Sequence, residues 1–404
     1  MADALTYRAM TADEPLDAAA RSIALAFGRG VDGAAGWIER SGRSAMRLIE
    51  SGGELGGTLM LVPLGQYFGG RSVPMAGIVG VTVTPESRGR GIATWAMERA
   101  LWEAREAGTP LSALYSARGP LYRRVGYEFA GLQCEHRLPL ARIEIEAGDD
   151  ADARVRGYEP ADFEGVSSCY RRYAARHNGH LDRGSSAGAY VWDRVINGRT
   201  EAPVYGFVVE ERGEITGYVF YLHVPPHMTE GAGRVLAAPD VCASTPGAAR
   251  RLLAFMAEHK SVQRELWWFG SLTHPLLGEL RDQVWSTKVM ERWMVRVVDV
   301  PGALRARGYA QGVEGELTIR VRDELFPENA GPWSLHVGGS EGVVEPGATG
   351  GEIEMGVRAL AALYSGYESP SALAARGRLT GDERAIRVAD AVFAGPMPTM
   401  VDMF

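Results

Sequence analysis

The stretch that decides the fold is VTVTPESRGRGIATWAMERAL, residues 81–101, because its hydrophobic period changes in the middle. The β-branched run at 81–84 predicts a strand, whereas the apolar residues of 93–101 recur at helical spacing. Pro85 ends the strand because it has no N–H to donate to the hydrogen-bond ladder. The stretch therefore predicts a strand, a turn and a helix.

The turn itself carries two Gly and two Arg residues. Gly89 and Gly91 allow the backbone to expose consecutive N–H groups at the first turn of the helix, where these groups have no internal partner. Arg88 and Arg90 add two permanent positive charges. Such a turn predicts a pyrophosphate site. A turn that uses Gly for the bend and Arg for solubility is the open alternative.

Two other phosphate-binding motifs do not match this turn. A nucleotide-hydrolase P-loop has Lys and then Ser or Thr after its last Gly, where this chain has Ile92 and Ala93. A dinucleotide-binding fingerprint has Gly or Ala at the position of Thr94. The sequence therefore predicts neither of these nucleotide sites.

The composition is typical of a globular protein with more than one domain. The chain has 404 residues, of which 46% are apolar and 23% are charged. The net charge is −7, and the chain has no basic run or basic–aromatic platform, so we expect no nucleic-acid partner. The N-terminus lacks an apolar run of signal length, and no apolar segment approaches membrane-spanning length. We expect a cytoplasmic protein without a membrane partner.

The residues that could bind metal do not form a ligand pattern. His177 and His180, in RHNGH, have loop spacing without a third ligand, so we expect them at the surface and predict no metal site. The cysteines are too few and too far apart for a disulfide framework or a metal knuckle. We therefore expect all three to be reduced and buried: Cys134, Cys169 and Cys242.

The chain divides into three blocks. Residues 1–148 predict a mixed α/β domain that contains the turn, and AGDDADAR predicts a linker at its end. Residues 149–293 contain a hairpin at 204–224 and a second strand–turn–helix at 235–258 without the Arg–Gly pair, so this block is predicted to be a degenerate copy of the first. Residues 294–404 predict strands, Ala/Leu-rich helices and a docked apolar end, PMPTMVDMF.

Two motifs in this order resemble those of the GCN5-related N-acetyltransferases (GNAT). The turn matches the acyl-CoA signature R/Q-x-x-G-x-G/A with Arg88, Gly91 and Ala93. LYRRVGYEFAG matches the pattern Y-x-x-x-G-F/Y, in which the Tyr lies on a following helix; its matching residues are Tyr122, Gly126 and Tyr127.

The whole chain resembles the Eis (enhanced intracellular survival) family of these enzymes. DVPGALRARGY at 299–309, EIEM at 352–355 and the aromatic C-terminus are similar to family stretches. The resemblance implies an α/β (α+β) chain with tandem GNAT-like folds. The N-terminal fold would be catalytic, the central fold degenerate, and a sterol-carrier-protein-like domain would follow.

The resemblance implies a transfer of acetyl from acetyl-CoA to a primary amine by direct attack, with a small-molecule amine, an aminoglycoside-like compound or a protein lysine as acceptor. Tyr122 would be the general acid, with Tyr127 as its structural counterpart, and the terminal carboxylate of Phe404 the general base. The resemblance also implies the cofactor contacts, namely Val81, Thr82, Val83, Arg88, Gly89, Arg90, Gly91, Ile92, Ala93, Thr94, Ala117 and Arg118.

The acceptor pocket departs from the pattern of some family members. By resemblance, Phe27 and Trp37 line this pocket. Members that accept aminoglycosides carry an acid shortly after the Phe and another before the last residue, where this chain has Arg29 and Met403. Acetylation of aminoglycosides therefore does not follow from the resemblance, whereas acetylation of an amine does.

Three points stay open on the sequence alone. Asp32 or Asp402 could replace the missing acids. The family implies a homo-oligomer, specifically a hexamer. The alternative function is a carrier of lipid or another hydrophobic ligand with a passive CoA-binding domain, which would copurify with lipid and leave acetyl-CoA intact.

Overall fold

The computed structural model describes residues 5–184, 186–198, 202–229, 231–347 and 352–404. In the first part of the chain, the strands β1 to β6 are Leu5–Ala9, Met46–Ser51, Glu54–Phe68, Arg71–Val83, Leu111–Tyr115 and Glu128–Pro139. The helices α1 to α4 there are Asp17–Phe27, Val31–Ser41, Ile92–Glu106 and Gly119–Arg124.

The middle and last parts of the chain contain the remaining elements. The strands β7 to β13 are Ala153–Gly157, Leu181–Asp182, Tyr205–Glu211, Glu214–Val224, Val235–Ala243, Glu265–Gly270 and Ser286–Val297. The helices α5 to α8 are Phe163–Ala174, Ser186–Asn197, Pro246–Ala257 and Pro275–Gly278. The strands β14 to β18 are Gly315–Arg322, Trp333–Gly338, Glu341–Pro346, Ile353–Gly356 and Leu379–Gly381. The helices α9 to α12 are Val300–Ala306, Val357–Ser365, Pro370–Ala375 and Glu383–Val392.

The chain forms two compact units. The first unit contains Met1–Ala130, Trp293–Gly395 and Phe404, and the second contains Gly131–Arg292 and Pro396–Met403. The last residue thus belongs to a different unit from the residues that precede it.

The first unit is built on a sheet with the strand order β1-β2-β3-β4-β5-β13. Strands β4 and β5 are parallel, and the other neighbours are antiparallel. The helix α1 packs on β3 and β4, and α3 packs on the same two strands. The α3 side of the core includes Leu59, Ile78, Met97 and Leu101. The strand–turn–helix predicted at 81–101 is therefore the end of β4, its turn and α3.

The third block completes the first unit. A five-stranded sheet with the order β16-β15-β14-β17-β18 belongs to this block. Phe326 is buried in the α3 core, and its ring lies 4.8 Å from that of Trp102. The backbones of Gly69 and Gly308 approach so closely that a Cβ on Gly69 would lie 2.0 Å from the carbonyl oxygen of Gly308. Only glycine fits there.

One buried carboxylate links the first and third blocks. Glu128, whose side chain is 2% exposed, accepts hydrogen bonds from Arg123, Arg358 and Arg378. Burial alone would raise the pKa of Glu128, but the hydrogen bonds from Arg123, Arg358 and the Phe129 N–H lower it overall. The carboxylate stays ionised because the guanidinium groups replace its water shell.

The second unit has a sheet with the order β6-β12-β11-β10-β9-β7. Strands β11 and β12 are parallel, like β4 and β5, and α7 follows β11 as α3 follows β4. The hairpin predicted at 204–224 is present as β9 and β10. All three cysteines are free and buried, as expected.

Candidate active site

The turn after β4 has the geometry of an anion cradle. Gly89 and Gly91 have φ values of 78° and 80°, and a Cβ on either would meet nothing within 4 Å. These glycines are therefore required by the left-handed backbone and not by crowding. The first intrahelical bond of α3 runs from the Trp95 N–H to the Gly91 carbonyl, 3.1 Å away. Three N–H groups before it are left without helical partners, those of Ile92, Ala93 and Thr94.

The charges at this turn are accessible. Arg88 and Arg90 are both exposed at the N-terminus of α3, which is 15 residues long. The positive end of the helix dipole and the two guanidinium groups favour the same ligand, a phosphate-containing anion.

Strands β4 and β5 separate beside this turn. They pair at Met75–Gly77 with Leu111–Ala113, and the pairing ends there although β4 continues to Val83 and β5 to Tyr115. In the described part of the chain, the residues of β4 after Gly77 are therefore not paired with β5. Backbone amides at such a fork can pair with an extended amide-containing ligand.

The side chains at the end of β4 already contact other residues of the first unit. Val81 and Val83 pack against the α3 core, and the Thr82 hydroxyl is hydrogen-bonded to those of Ser22 and Thr58, at 2.7 and 2.8 Å. A ligand at this edge would thus meet backbone groups. Ala117 and Arg118 are exposed directly after β5, and Arg118 is the N-cap residue of α4.

Two tyrosines follow in the short helix α4 and the residues after it. Tyr122 is 6% exposed, and its ring meets that of Tyr127 with centroids 6.1 Å apart. Burial raises the pKa of Tyr122 to about 12, so the hydroxyl is protonated at neutral pH. The hydroxyl of Tyr127 instead lies 2.6 Å from that of Ser112, which donates to the Ala76 carbonyl.

Gly126 explains part of the motif in structural terms. Its φ is 91°, and a Cβ there would lie 2.7 Å from Nε of Arg296. Arg296 is fully buried and forms two hydrogen bonds to Asp323, at 2.7 and 2.8 Å. The motif glycine thus leaves space for an arginine of the sheet.

The last residue of the chain packs at the fork between β4 and β5. A Cβ on Gly77 would lie 2.7 Å from Cε2 of Phe404, so the aromatic ring covers the residue at which the two strands separate. The rings of Tyr115 and Phe404 have centroids 6.2 Å apart. The fold thereby brings a terminal residue to the same fork that carries the candidate cofactor contacts.

Family models match three successive parts of the chain. The model described as acetyltransferase (GNAT) domain matches residues 6–130, a second model of that description matches 179–297, and the sterol carrier protein domain matches 300–401. An uncharacterized N-acetyltransferase of Streptomyces coelicolor is 30% identical over 330 residues, which cover 77% of this chain and 76% of that protein. The N-acetyltransferase Eis of Mycobacterium tuberculosis is 27% identical over 338 residues, which cover 81% and 79%.

The chain belongs to the Eis family of GCN5-related N-acetyltransferases.

A solved structure extends the likeness to the full length. The GCN5-related N-acetyltransferase from Anabaena variabilis has a TM-score of 0.91 and 29% identity, and covers 99% of this chain and 100% of that chain. The predicted fold class, two GNAT domains followed by a sterol-carrier-like domain, is therefore confirmed. This Eis-family protein is an N-acetyltransferase, and its GNAT domains imply acetyl-CoA as co-substrate. The comparisons favour this activity over the carrier hypothesis.

The predicted pocket aromatics of this Eis-family chain come together on α1 and α2. The rings of Phe27 and Trp37 meet edge to face with centroids 6.0 Å apart, and the Arg29 guanidinium lies 5.2 Å from the Trp37 centroid. Phe27 is 42% exposed. A cavity of about 250 Å³ lies beside α1, and its lining includes Ser22, Leu25, Val83 and Arg88.

One of the two acids considered as replacements is unavailable. Asp402 is 4% exposed and is paired with Arg183. Asp32 lies in the first turn of α2 and is exposed. The position of Asp402 in an apolar tail offered no sign of this burial, because its partner is 219 residues away.

The expectation of surface histidines was wrong. His177 is 9% exposed and His180 fully buried, and their rings stack with centroids 4.9 Å apart. His180 donates from Nδ1 to the Thr399 carbonyl, at 2.9 Å, and burial lowers the pKa of His180 to about 3. The two histidines do lie in a loop, but the C-terminal tail covers this loop within the second unit.

Within the ranges that the structure describes, no group of three or more His, Cys, Asp or Glu residues could hold a metal ion. In the same part of the chain, every helix is too short or too polar to span a bilayer.

Proposed function

We propose that the protein transfers acetyl from acetyl-CoA to a primary amine by direct attack at the fork between β4 and β5. The observation that carries the proposal is the position of Phe404, whose ring packs on Gly77 where the two strands separate. The terminal α-carboxylate of Phe404 would then act as the base at this fork, in place of an acidic side chain.

The cofactor would lie along β4 and end at the turn. We assign the pantetheine amides to the backbone of Val81, Thr82 and Val83, because the side chains there are occupied by the core. The pyrophosphate would be bound by the N–H groups of residues 89–94 and by the exposed Arg88 and Arg90. The residues after β5, Ala117 and Arg118, would contact the cofactor from the other side of the fork.

Tyr122 would return a proton to the leaving thiolate. The attacking amine forms a bond to the thioester carbonyl carbon, the tetrahedral intermediate collapses, and the C–S bond breaks. The buried hydroxyl of Tyr122 keeps its proton until a thiolate forms, because its pKa is about 12. A free thiol has a pKa of about 8.5, but burial beside Tyr122 would raise that value as well.

The carboxylate of Phe404 would accept the proton that the amine loses. An α-carboxyl group has a pKa of about 3.3–3.7 in water and is a weak base toward an ammonium. Orientation of the neutral amine and relay of its proton therefore make up most of its contribution. General acid–base groups of this kind typically contribute about 10²–10⁴-fold.

The acceptor is proposed to be a small-molecule amine or a protein lysine. The Phe27–Trp37 pair offers an aromatic surface, and Arg29 above Trp37 repels polycations. Because Asp402 is paired with Arg183, the exposed Asp32 is the acid of the two that stays a candidate for binding a multiply charged acceptor. We expect a cytoplasmic homo-oligomer, a hexamer by analogy with the family, and both properties stay predictions.

The test compares the native chain with one that carries a single Gly appended after Phe404. Release of CoA from acetyl-CoA would be followed with polyamines, aminoglycosides and lysine peptides as acceptors. We expect turnover to fall about 10²–10⁴-fold on extension, with acetyl-CoA affinity unchanged, because the carboxylate moves by one residue. Equal turnover by the two chains would remove Phe404 from the mechanism.

A further inference from the structure

A buried ion cluster in the second unit holds the C-terminal tail. Arg183 has a side chain that is 1% exposed, and it contacts two carboxylates at 2.6 and 2.7 Å, those of Asp240 and Asp402. The side chains of these aspartates are 4% and 5% exposed. We call these three residues the tail anchor.

Arg183 binds the two aspartates through different edges of its guanidinium. Asp402 accepts from Nε and Nη2, at 3.1 and 2.7 Å, in a bidentate pair, whereas Asp240 accepts from Nη1. Tyr170 donates to Asp402 at 3.3 Å, and Tyr218 donates to Asp240 at 3.1 Å. A bidentate pair fixes the direction of both planar groups, so it determines where Asp402 lies as well as holding it.

The tail anchor fixes the position of the C-terminal tail more than it adds to the free energy of unfolding. Burying three charges requires the removal of their water, and the ion pairs barely offset that loss. The Arg183 guanidinium also lies over the ring of Tyr170, with its carbon 3.8 Å from the ring centroid. The side chain is therefore immobilised by an aromatic ring in addition to its ion pairs.

Further hydrogen bonds hold the tail on either side of Asp402. The Gln133 side chain donates to the Val401 carbonyl at 3.2 Å, and the Arg194 side chain donates to the Met403 carbonyl. The Thr399 N–H donates to the Asn178 carbonyl, and the Met400 N–H donates to the Leu132 carbonyl, at 2.9 and 3.0 Å. Asp402 is the last residue of the tail that is buried in the second unit, and Phe404 follows two residues later. Two residues span at most about 7 Å of chain, so the position of Asp402 closely restricts that of the terminal carboxylate.

We propose that Arg183 is a positioning residue for acetyl transfer, which acts by binding Asp402 and thereby fixing the place of the Phe404 carboxylate. The inference rests on the proposed function of Phe404 as the base. Arg183 does not touch the reacting atoms. Its effect reaches them through the two peptide units between Asp402 and Phe404.

The test uses a matched pair of variants, Asp402→Asn and Asp240→Asn. Each removes one of the two carboxylates that pair with Arg183, keeps the side-chain volume and leaves Arg183 with a charged partner. Both variants should therefore fold, and thermal unfolding would compare their stability. Only Asp402 belongs to the tail, so the two variants separate tail positioning from the loss of a buried ion pair.

Two measurements would be made on each full-length chain. A misplacement of about 1 Å at a reacting group can lower turnover about 10²-fold, so we expect Asp402→Asn to lower kcat by that factor with the KM for acetyl-CoA unchanged. Asp240→Asn should keep kcat within about threefold. Release of Phe404 by a carboxypeptidase should rise about tenfold or more in Asp402→Asn alone, because the tail opens more often.

The outcomes separate this inference from the proposed function. Equal losses of kcat in both variants, or an Asp402→Asn variant with native kcat, would overturn the positioning role. The chain with one Gly appended after Phe404 is assayed in parallel. If that chain keeps full turnover, the proposed base is wrong and the positioning role falls with it. If it loses turnover while Asp402→Asn does not, only the anchor is refuted.

Discussion

Gly77 controls how closely the terminal ring approaches β4, which makes Gly77→Ala a direct test of the proposed active-site arrangement. A Cβ at this position would lie 2.7 and 2.9 Å from Cε2 and Cδ2 of Phe404 and 3.1 Å from Cδ1 of Leu64. Ordinary carbon–carbon contacts are about 3.5–4.0 Å, so the ring must retreat by about 1 Å. Gly77 is paired with Ala113 in β5, so its backbone cannot move away from the ring.

The size of the effect follows from that displacement. A shift of about 1 Å in a catalytic group can reduce turnover about 10²-fold, which corresponds to about 2.7 kcal/mol of activation free energy. The change in stability should be smaller, because overpacking costs about 1–3 kcal/mol while removal of a glycine from a strand regains about 0.5–1 kcal/mol. Loss of activity should therefore exceed any loss of folded protein.

The assay is steady-state CoA release with the best amine acceptor. The control is Gly56→Ala in β3, where a Cβ would meet Ile92 at 3.4 Å, an ordinary contact. A double-mutant cycle with Phe404→Ala, which removes the ring but keeps the carboxylate, isolates the contact. Gly77→Ala should cost little turnover once the ring is absent. Native turnover in Gly77→Ala, or an equal loss in both backgrounds, would refute the reasoning.

Further predictions concern the acid, the cofactor turn and a buried carboxylate. Tyr122→Phe should lower kcat about 10²–10⁴-fold at unchanged acetyl-CoA affinity, whereas Tyr127→Phe should keep kcat and lose about 1 kcal/mol of unfolding free energy; the reverse order would contradict the assignment. Gly91→Ala should weaken acetyl-CoA binding in a titration, because a residue other than glycine loses about 1–2 kcal/mol in the left-handed conformation. Unchanged affinity would show that the turn does not bind the cofactor. The lowered pKa of Glu128 contributes stability above the unfolded value of about 4.3, and this is lost as pH falls through the folded pKa. Glu128→Gln should flatten that decline in acid unfolding curves, and an unchanged decline would point to other groups.

Local features of the fold could be predicted from the sequence. The strand–turn–helix at 81–101 followed from residue types, because a change of hydrophobic period and two glycines act within one turn of chain. The hairpin at 204–224 was likewise predicted from local residue types. Tyr122 was proposed from a motif, and the structure shows why its neighbour Tyr127 differs. The Tyr127 hydroxyl is hydrogen-bonded to that of Ser112, fifteen positions earlier in the chain.

The errors fall where distant segments meet. His177 and His180 have the polar surroundings of a surface loop, and their burial depends on the tail around Thr399, which is more than 200 residues away. Asp402 was considered as an acid for substrate binding, but Arg183 removes it from that role. No local sequence pattern indicates hydrogen-bond or ion-pair partners this far away along the chain.

The sequence by itself determined the local backbone, the family motifs and the class of reaction, because these depend on residue types within a few positions of one another. Tertiary structure alone decided which distant groups meet. It placed Phe404 against Gly77, joined Arg183 to Asp402 and brought Cys169 within 3.7 Å of Cys242. The physical reason is that burial and charge pairing act between positions that are adjacent only after the sheets have formed.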